Sequence, residues 1–173
     1  KKYCHRHNIN TSTIEPVMDG KSVISSSNIR SLISSGNINE ANKLLGTYFS
    51  ILGVVVYGSG RGRLLNFQTA NIVPKEKKQL LPKIGVYLVL GRINGLNRFG
   101  MCNIGTRPTF GENKFVMEIH FFLDNELNLY GKRIRIKFLE RIRDEKKFPS
   151  SEDLINQLEN DKMICLKLSG KYN

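Results

Sequence analysis

Cysteine is scarce in this chain, and the three present, Cys4, Cys102 and Cys165, are too scattered to build a disulfide framework. An odd count of thiols suits a reducing cytosol, and 173 residues are enough to bury a core without covalent staples. Long apolar runs are absent as well. No segment approaches bilayer-spanning length, and the opening KKYCHRHNIN lacks the apolar stretch of a signal peptide. There is no internal repeat and no low-complexity tract. These absences lead to the expectation of a soluble cytoplasmic protein with no membrane partner, built as one domain with at most a piece of another.

What the sequence has in excess is positive charge, with 27 Lys and Arg against 15 Asp and Glu and a formal net charge of +12. Such a balance favours polyanionic partners, either nucleic acid or small phosphorylated ligands. The cations are spread along the chain rather than blocked together, so an ordinary solvated surface fits equally well.

Residues 1–24 read as irregular. In SSSNIRSLISSG the serines are suited to cap a helix with Ile29, Leu32 and Ile33 on its apolar face and Gly36 at its end. A second short helix is predicted with Asn37 and Glu40 as a capping box, Leu44 and Leu45 as its apolar contacts, and Gly46 as its stop. From Ser50 the pattern turns to strands: SILGVVVY, GVYLVLGRI, RFGMCNIG, KFVMEIHFFL and KRIRIKFLERIR are β-branched or aromatic-rich and separated by turn residues. The last places Ile134, Ile136 and Phe138 on one face and Arg133, Arg135 and Lys137 on the other. Short strands without long helices between them imply an antiparallel barrel or sandwich. A final helix starts at Pro149 and Ser150, with Asp153 three beyond the cap and Leu154, Ile155 and Leu158 in its buried stripe. The only candidate boundary lies near residues 46–49.

GSGRGRLLNFQTANI, residues 58–72, carries the first chemical signal. Gly58, Gly60 and Gly62 permit backbone angles closed to other residues and let main-chain N–H groups converge on an anion, with Arg61 and Arg63 adding charge. A tight turn with solvated arginines explains the same letters. The lysine and helix of a P-loop are missing, which excludes that mode of nucleotide binding. In an extended chain Thr69 and Asn71 point to one side, where their oxygens could share a hard cation such as Mg²⁺; a strand-end Thr and a turn-forming Asn are the alternative. Glu118 shares a face with His120, opposite Met117, Ile119 and Phe121, and either meets solvent or serves as a base in a site. NIGTRPTFG, 103–111, reads as a polar loop, and RIRDEKKFPS, 141–150, as a basic one; either is an ordinary connection or a loop that binds ligand on a rigid barrel. Cys4, His5 and His7 lack a second ligand pair for a metal.

In order, GSGRGRLLNFQTAN, GVYLV, NIGTRPTF, MEIH, LYGKRI and FLERIRDEKKF followed by a closing helix resemble the riboflavin kinase family, specifically the C-terminal kinase module of bacterial bifunctional riboflavin kinase/FAD synthetases. The resemblance covers about residues 47–168. It implies a mainly β fold, a small antiparallel Greek-key barrel with a C-terminal helix, and transfer of the γ-phosphate of ATP to the 5′-hydroxyl of riboflavin to give FMN and ADP. By position it implies that Gly58, Gly60, Gly62 and Arg63 line the ATP phosphates and that Thr69 and Asn71 hold Mg²⁺ and phosphate oxygens. Phe121, Leu123 and Tyr130 fall near the adenine and its sugar, and Arg143, Lys146 and Phe148 on the flavin side. Glu118 becomes the base for the ribityl hydroxyl, which requires its face to look into the barrel mouth.

ISSSNIR, 24–30, resembles the end of the family's adenylyltransferase domain. The expected organisation is therefore a remnant of that domain over 1–46 and a kinase domain over 47–173, with no FAD synthesis by this chain alone. Asn66 and Gln68 depart from the family's usual Gly and Pro, and Gln68 in particular gives up a fixed φ just before Thr69. Two competing readings are a basic barrel that binds single-stranded nucleic acid through aromatic side chains, and a flavin-binding barrel whose kinase activity has decayed.

Overall fold

In the computed structural model the described residues are 2–20, 22–58, 60, 62, 67–76, 78–109, 112–123 and 127–172. Their elements in chain order are α1 (Lys2–Arg6), β1 (Met18–Asp19), β2 (Ser22–Val23), α2 (Ser26–Ser35), α3 (Ile38–Leu45), β3 (Ser50–Val56), β4 (Ala70–Pro74), β5 (Gly85–Ile93), β6 (Leu96–Thr109), β7 (Glu112–Phe121), β8 (Arg133–Arg143) and α4 (Ser151–Ser169), with a short 3₁₀ turn at Gly170–Tyr172.

The helices start and stop where their caps demand. Ser25 accepts the Asn28 N–H at the head of α2, and Gly36 closes it with φ of 87°. Ser150 accepts the Asp153 N–H at the head of α4 and donates its own hydroxyl to the Asp153 carboxylate. The capping box expected for α3 does not form. Asn37 caps nothing with its side chain and donates instead to Ser35 Oγ, while Gly46 ends the helix with φ of 65°. Its buried contacts are Ile38 and Ala41 rather than Leu44 and Leu45, because these two lie on the face turned to the barrel.

Strands β3-β4-β7-β6-β5-β8 close into a barrel, with every pair antiparallel. β5, β6 and β7 follow one another through hairpins and β8 returns to lie beside β5, which is the Greek-key order. Residues 1–24, expected to be irregular, hold α1, β1 and β2, and within the barrel two further expectations change. Residues 70–74, anticipated only as an extended motif, form β4, and 106–109, anticipated as part of a loop over 103–111, continue β6. Both follow from the ladder with β7, which supplies partners to sequences of modest strand propensity.

Alternation sorts the side chains into two cores. Ile51, Val55, Tyr87, Val89, Ile119, Ile134, Ile136 and Phe138 fill the barrel interior. Outside the wall, Val86, Leu88, Met101 and Leu139 pack with Phe67 and with Cys165 of α4. β5 is therefore apolar on both faces, as its nearly continuous hydrophobic sequence requires. Opposite β5, β8 carries two register shifts, which leave Leu139 and Ile142 as extra residues. The first turns Leu139 outward beside inward Phe138, and the second brings Arg143 to the outer face while Arg141 pairs with inward-facing Tyr87.

Candidate active site

The barrel wall aligns its polar residues in one transverse row. Asn71 of β4 lies opposite Glu118 of β7, Glu118 opposite Asn103 of β6, Asn103 opposite Val86 of β5, and Val86 opposite Arg143 of β8. All belong to the outward set, because Ile72, Met117, Ile104 and Tyr87, their chain neighbours, point into the core. The face of Glu118 and His120 consequently looks outward, not into the barrel mouth. It is half-buried rather than fully exposed, with the Phe67 ring against His120 and the α4 residues Leu154 and Leu158 across the same cavity.

Between this wall and α4 lies a cavity of about 350 Å³, within the range of small-molecule sites. Thr69, Asn103, Glu118 and His120 form its polar side; Val86, Met101, Phe148, Leu154 and Leu158 form its apolar side; Arg143, Glu145 and Lys146 stand where β8 runs out toward α4.

On the polar side, Gly58 closely approaches Asn71, and Gly62 approaches Phe67 and Thr69. Of the three glycines, only Gly60 has a left-handed φ, 71°. The other two are needed for room: a Cβ on Gly58 would collide with the Asn71 amide, and one on Gly62 would strike the Phe67 carbonyl and lie 3.1 Å from Thr69 Oγ. Phe67 N–H donates to Gly62 O at 2.8 Å, and His120 Nδ1 lies 2.9 Å from Gln68 O. The His120 ring meets Phe67 edge-on at 5.1 Å, and burial lowers its pKa below the ordinary value. Cys102, inside the wall beneath Glu118, has its thiol pushed far up by burial and then by the Glu118 charge, so it is a packing residue rather than a nucleophile.

The opposite side is held by charge. Arg143 donates Nε to both oxygens of fully buried Asp161 at 3.0 and 2.9 Å and Nη2 to Oδ2 at 2.7 Å, fastening β8 to α4. Gln157 donates to the same carboxylate at 2.8 Å, and Arg143 Nη1 reaches the Asp144 carbonyl at 2.9 Å. The Arg143 guanidinium and the Lys146 ammonium lie 5.9 and 5.7 Å from the Phe148 ring centroid. Asp144 itself bonds Arg141 at 2.7 Å and Lys83 at 3.0 Å, and these cations hold its carboxyl below the ordinary range.

Gly62, Thr69, Glu118, Arg143, Lys146 and Phe148 thus come together around one cavity, with Asn71 and Gly58 beside it. Phe121, Leu123 and Tyr130 do not line it. The Phe121 ring is buried in the interior against Gly91, Leu123 packs on the interior cluster, and exposed Tyr130 stacks on Tyr57 at 4.0 Å, next to Gly58. Arg63 and Asn66 lie outside the described residues. Asn103, Glu145 and Phe67 were not anticipated as site residues. The outward alternation of β6 could have pointed to Asn103 once its strand was known.

Residues 45–169 match the family described as Flavokinase: Riboflavin kinase. The chain is 43% identical over 138 residues to a bifunctional riboflavin kinase/FMN adenylyltransferase of Listeria monocytogenes, covering 80% of this chain and 44% of that protein. It spans about half the length of the curated relatives it matches. A crystal structure named as a macrolide-efflux protein from Streptococcus pneumoniae superposes with a TM-score of 0.82 at 37% identity, over 88% of this chain and 49% of that one. Riboflavin kinase from Trypanosoma brucei shares the fold with a TM-score of 0.50 at 22% identity, over 70% of this chain and 80% of that one. Among the described residues no helix is long and apolar enough to cross a membrane.

Proposed function

The chain belongs to the riboflavin kinase family, and we propose that it transfers the γ-phosphoryl group of ATP to the 5′-hydroxyl of riboflavin, giving FMN and ADP. The observation that carries the proposal is that one cavity is lined by Thr69 and Glu118 on its polar side and by Val86, Met101, Phe148, Leu154 and Leu158 on the other. A flat, largely apolar ring system bearing a polyhydroxyl chain needs such a site: the ring against the apolar wall, the terminal hydroxyl delivered to a carboxylate beside the phosphates.

In this reading Glu118 accepts the proton of the ribityl hydroxyl as the oxygen attacks phosphorus. Phosphoryl transfer otherwise depends mainly on position and charge. Gly58, Gly60 and Gly62, with Arg63, bring backbone N–H groups and charge to the phosphates. Lys146, Phe148 and Arg143 border the flavin, although Arg143 spends three of its hydrogen bonds on Asp161 and so acts chiefly by holding the wall in place. Tyr130, stacked on Tyr57 at the start of the glycine loop, is available on the adenine side, with Leu123 close to the barrel end.

Thr69 and Asn71 are suited to Mg²⁺. Their hydroxyl and amide oxygens are hard donors, and the missing Cβ atoms of Gly58 and Gly62 let the Asn71 amide and the Phe67 carbonyl lie against that backbone without a clash. Mg²⁺ characteristically takes few protein ligands and completes its shell with substrate phosphates and water. When bound, it would neutralise charge on the β- and γ-phosphates.

ATP as donor fits a cytoplasmic reaction. Residues 1–46 are proposed to correspond to the end of the adenylyltransferase part of the longer relatives, and FMN is the expected product of the kinase part. The test is incubation with riboflavin, ATP and Mg²⁺ followed by chromatography. Appearance of FMN, abolished by Glu118→Ala, supports the reading; riboflavin binding without FMN would indicate a flavin-binding barrel instead.

A further inference from the structure

The ladder between β4 and β7 has its last register pair at Ala70 and Ile119, so residues 67–69 lie beyond it. Thr69 nevertheless has to be presented at a defined place in the cavity. One side chain extends the connection. His120, outward on β7, reaches past the end of the ladder to the Gln68 carbonyl at 2.9 Å. A carbonyl oxygen only accepts, so Nδ1 carries the ring proton and donates it. The same ring packs edge-on against Phe67 at 5.1 Å and lies 5.9 Å from Phe122, and Phe67 N–H is in turn bonded to Gly62 O at 2.8 Å. His120 therefore joins the rigid wall to the glycine loop and to the residue immediately before Thr69.

We propose that His120 is a positioning residue of this site, which holds the Thr69-bearing segment through the Nδ1–H···O=C bond to Gln68 and so sets the geometry of the ATP side. The proposal rests on the kinase reading for its kinetic consequence but not for its structural one. Gln68 has a free φ, and a segment beyond the end of the ladder, next to the proposed phosphate site, would otherwise sample several conformations. A displacement of about 1 Å in a group that positions a substrate costs roughly 100-fold in rate.

The experiment compares the intact chain with His120→Leu, which keeps apolar bulk and loses the donor, and His120→Asn, whose amide can replace it. Without any ligand, hydrogen exchange is expected to quicken at the amides of 67–70 in His120→Leu, with those of 117–119 unchanged, and to return toward the parent rate in His120→Asn. The ¹⁵N spectrum of His120 in the parent is expected to report the Nδ1–H tautomer. In the FMN assay His120→Leu should lose roughly 10- to 100-fold in kcat/KM for ATP with KM for riboflavin within about twofold, and Gln68→Pro added to it should restore part of the loss by stiffening the same backbone another way. Unchanged exchange at 67–70, or an Nε2–H tautomer, overturns the proposal. So does a defect confined to riboflavin KM, which would make His120 a flavin contact. A parent chain that makes no FMN yet shows the exchange and tautomer results refutes the kinase reading and leaves the anchoring role standing.

Discussion

The two borders of the cavity are secured in different ways. On the α4 side, a buried carboxylate, an arginine using three N–H···O bonds, a glutamine and the apolar contacts of Leu154 and Leu158 tie the wall into the fold. On the glycine-loop side, the contacts among the described residues are neutral hydrogen bonds from Phe67 and toward Gln68, together with Phe67's ring. A charged, multidentate link among desolvated groups is costly to break, whereas single neutral bonds are each worth about 0.5–1.5 kcal/mol. The α4 border, proposed for the flavin, is thus tied into the stability of the domain, whereas the described residues of the border proposed for the phosphates are held by weaker bonds. That division suits a kinase, which must let a bulky nucleotide in and out while keeping its acceptor pocket shaped.

Breaking each border separately sharpens the contrast. The largest effect is expected between them: Glu118→Gln should lower kcat about 10²- to 10⁴-fold while leaving the denaturation midpoint nearly unchanged, as measured by FMN formation and urea unfolding. Next, Asp161→Ala strands the Arg143 charge against the wall and should destabilise the domain by about 3–5 kcal/mol in urea titration. A loss below about 1 kcal/mol would mean that the pair does not secure α4. Gly58→Ala, on the lighter border, drives a Cβ into the Asn71 amide. With forced displacement costing about 1–3 kcal/mol, it should raise KM for ATP roughly tenfold with little change in riboflavin affinity by fluorescence quenching.

The smallest effect concerns pH. Burial lowers the pKa of His120, so its neutral form is the one favoured in the fold. Between that lowered value and the unfolded value of about 6.5, the unfolded chain binds more protons, and stability should fall as pH drops through this window. His120→Asn should flatten the slope in parallel denaturation series below pH 6.5, and an unaltered slope would assign it to other groups.

Much of the fold was legible. The alternation of KRIRIKFLERIR predicts inward Ile134, Ile136 and Phe138, and the serine and glycine caps predict α2 and α4, because these signals are local and strong. β4 and the later part of β6 were not legible as strands, since their pairing with β7 outweighs weak propensity. At the cavity, Thr69 and Glu118 are among the residues that the sequence singles out for their chemistry, and Asn71 stands beside it. Asn103 is not singled out, as nothing in its local sequence marks it as the cross-strand neighbour of Glu118.

By itself the sequence determined which residue types were available and which faces of single strands they occupied, because side-chain direction along a strand follows from a period of two. Only tertiary structure decided that Asn71, Glu118, Asn103, Val86 and Arg143 share one row, since register across five strands depends on barrel closure. It also decided that two bulges in β8 return Arg143 to the outer face, where it meets Asp161. The site exists because α4 covers that face, and a helix packing over a wall is a property of long-range contacts that no local pattern contains.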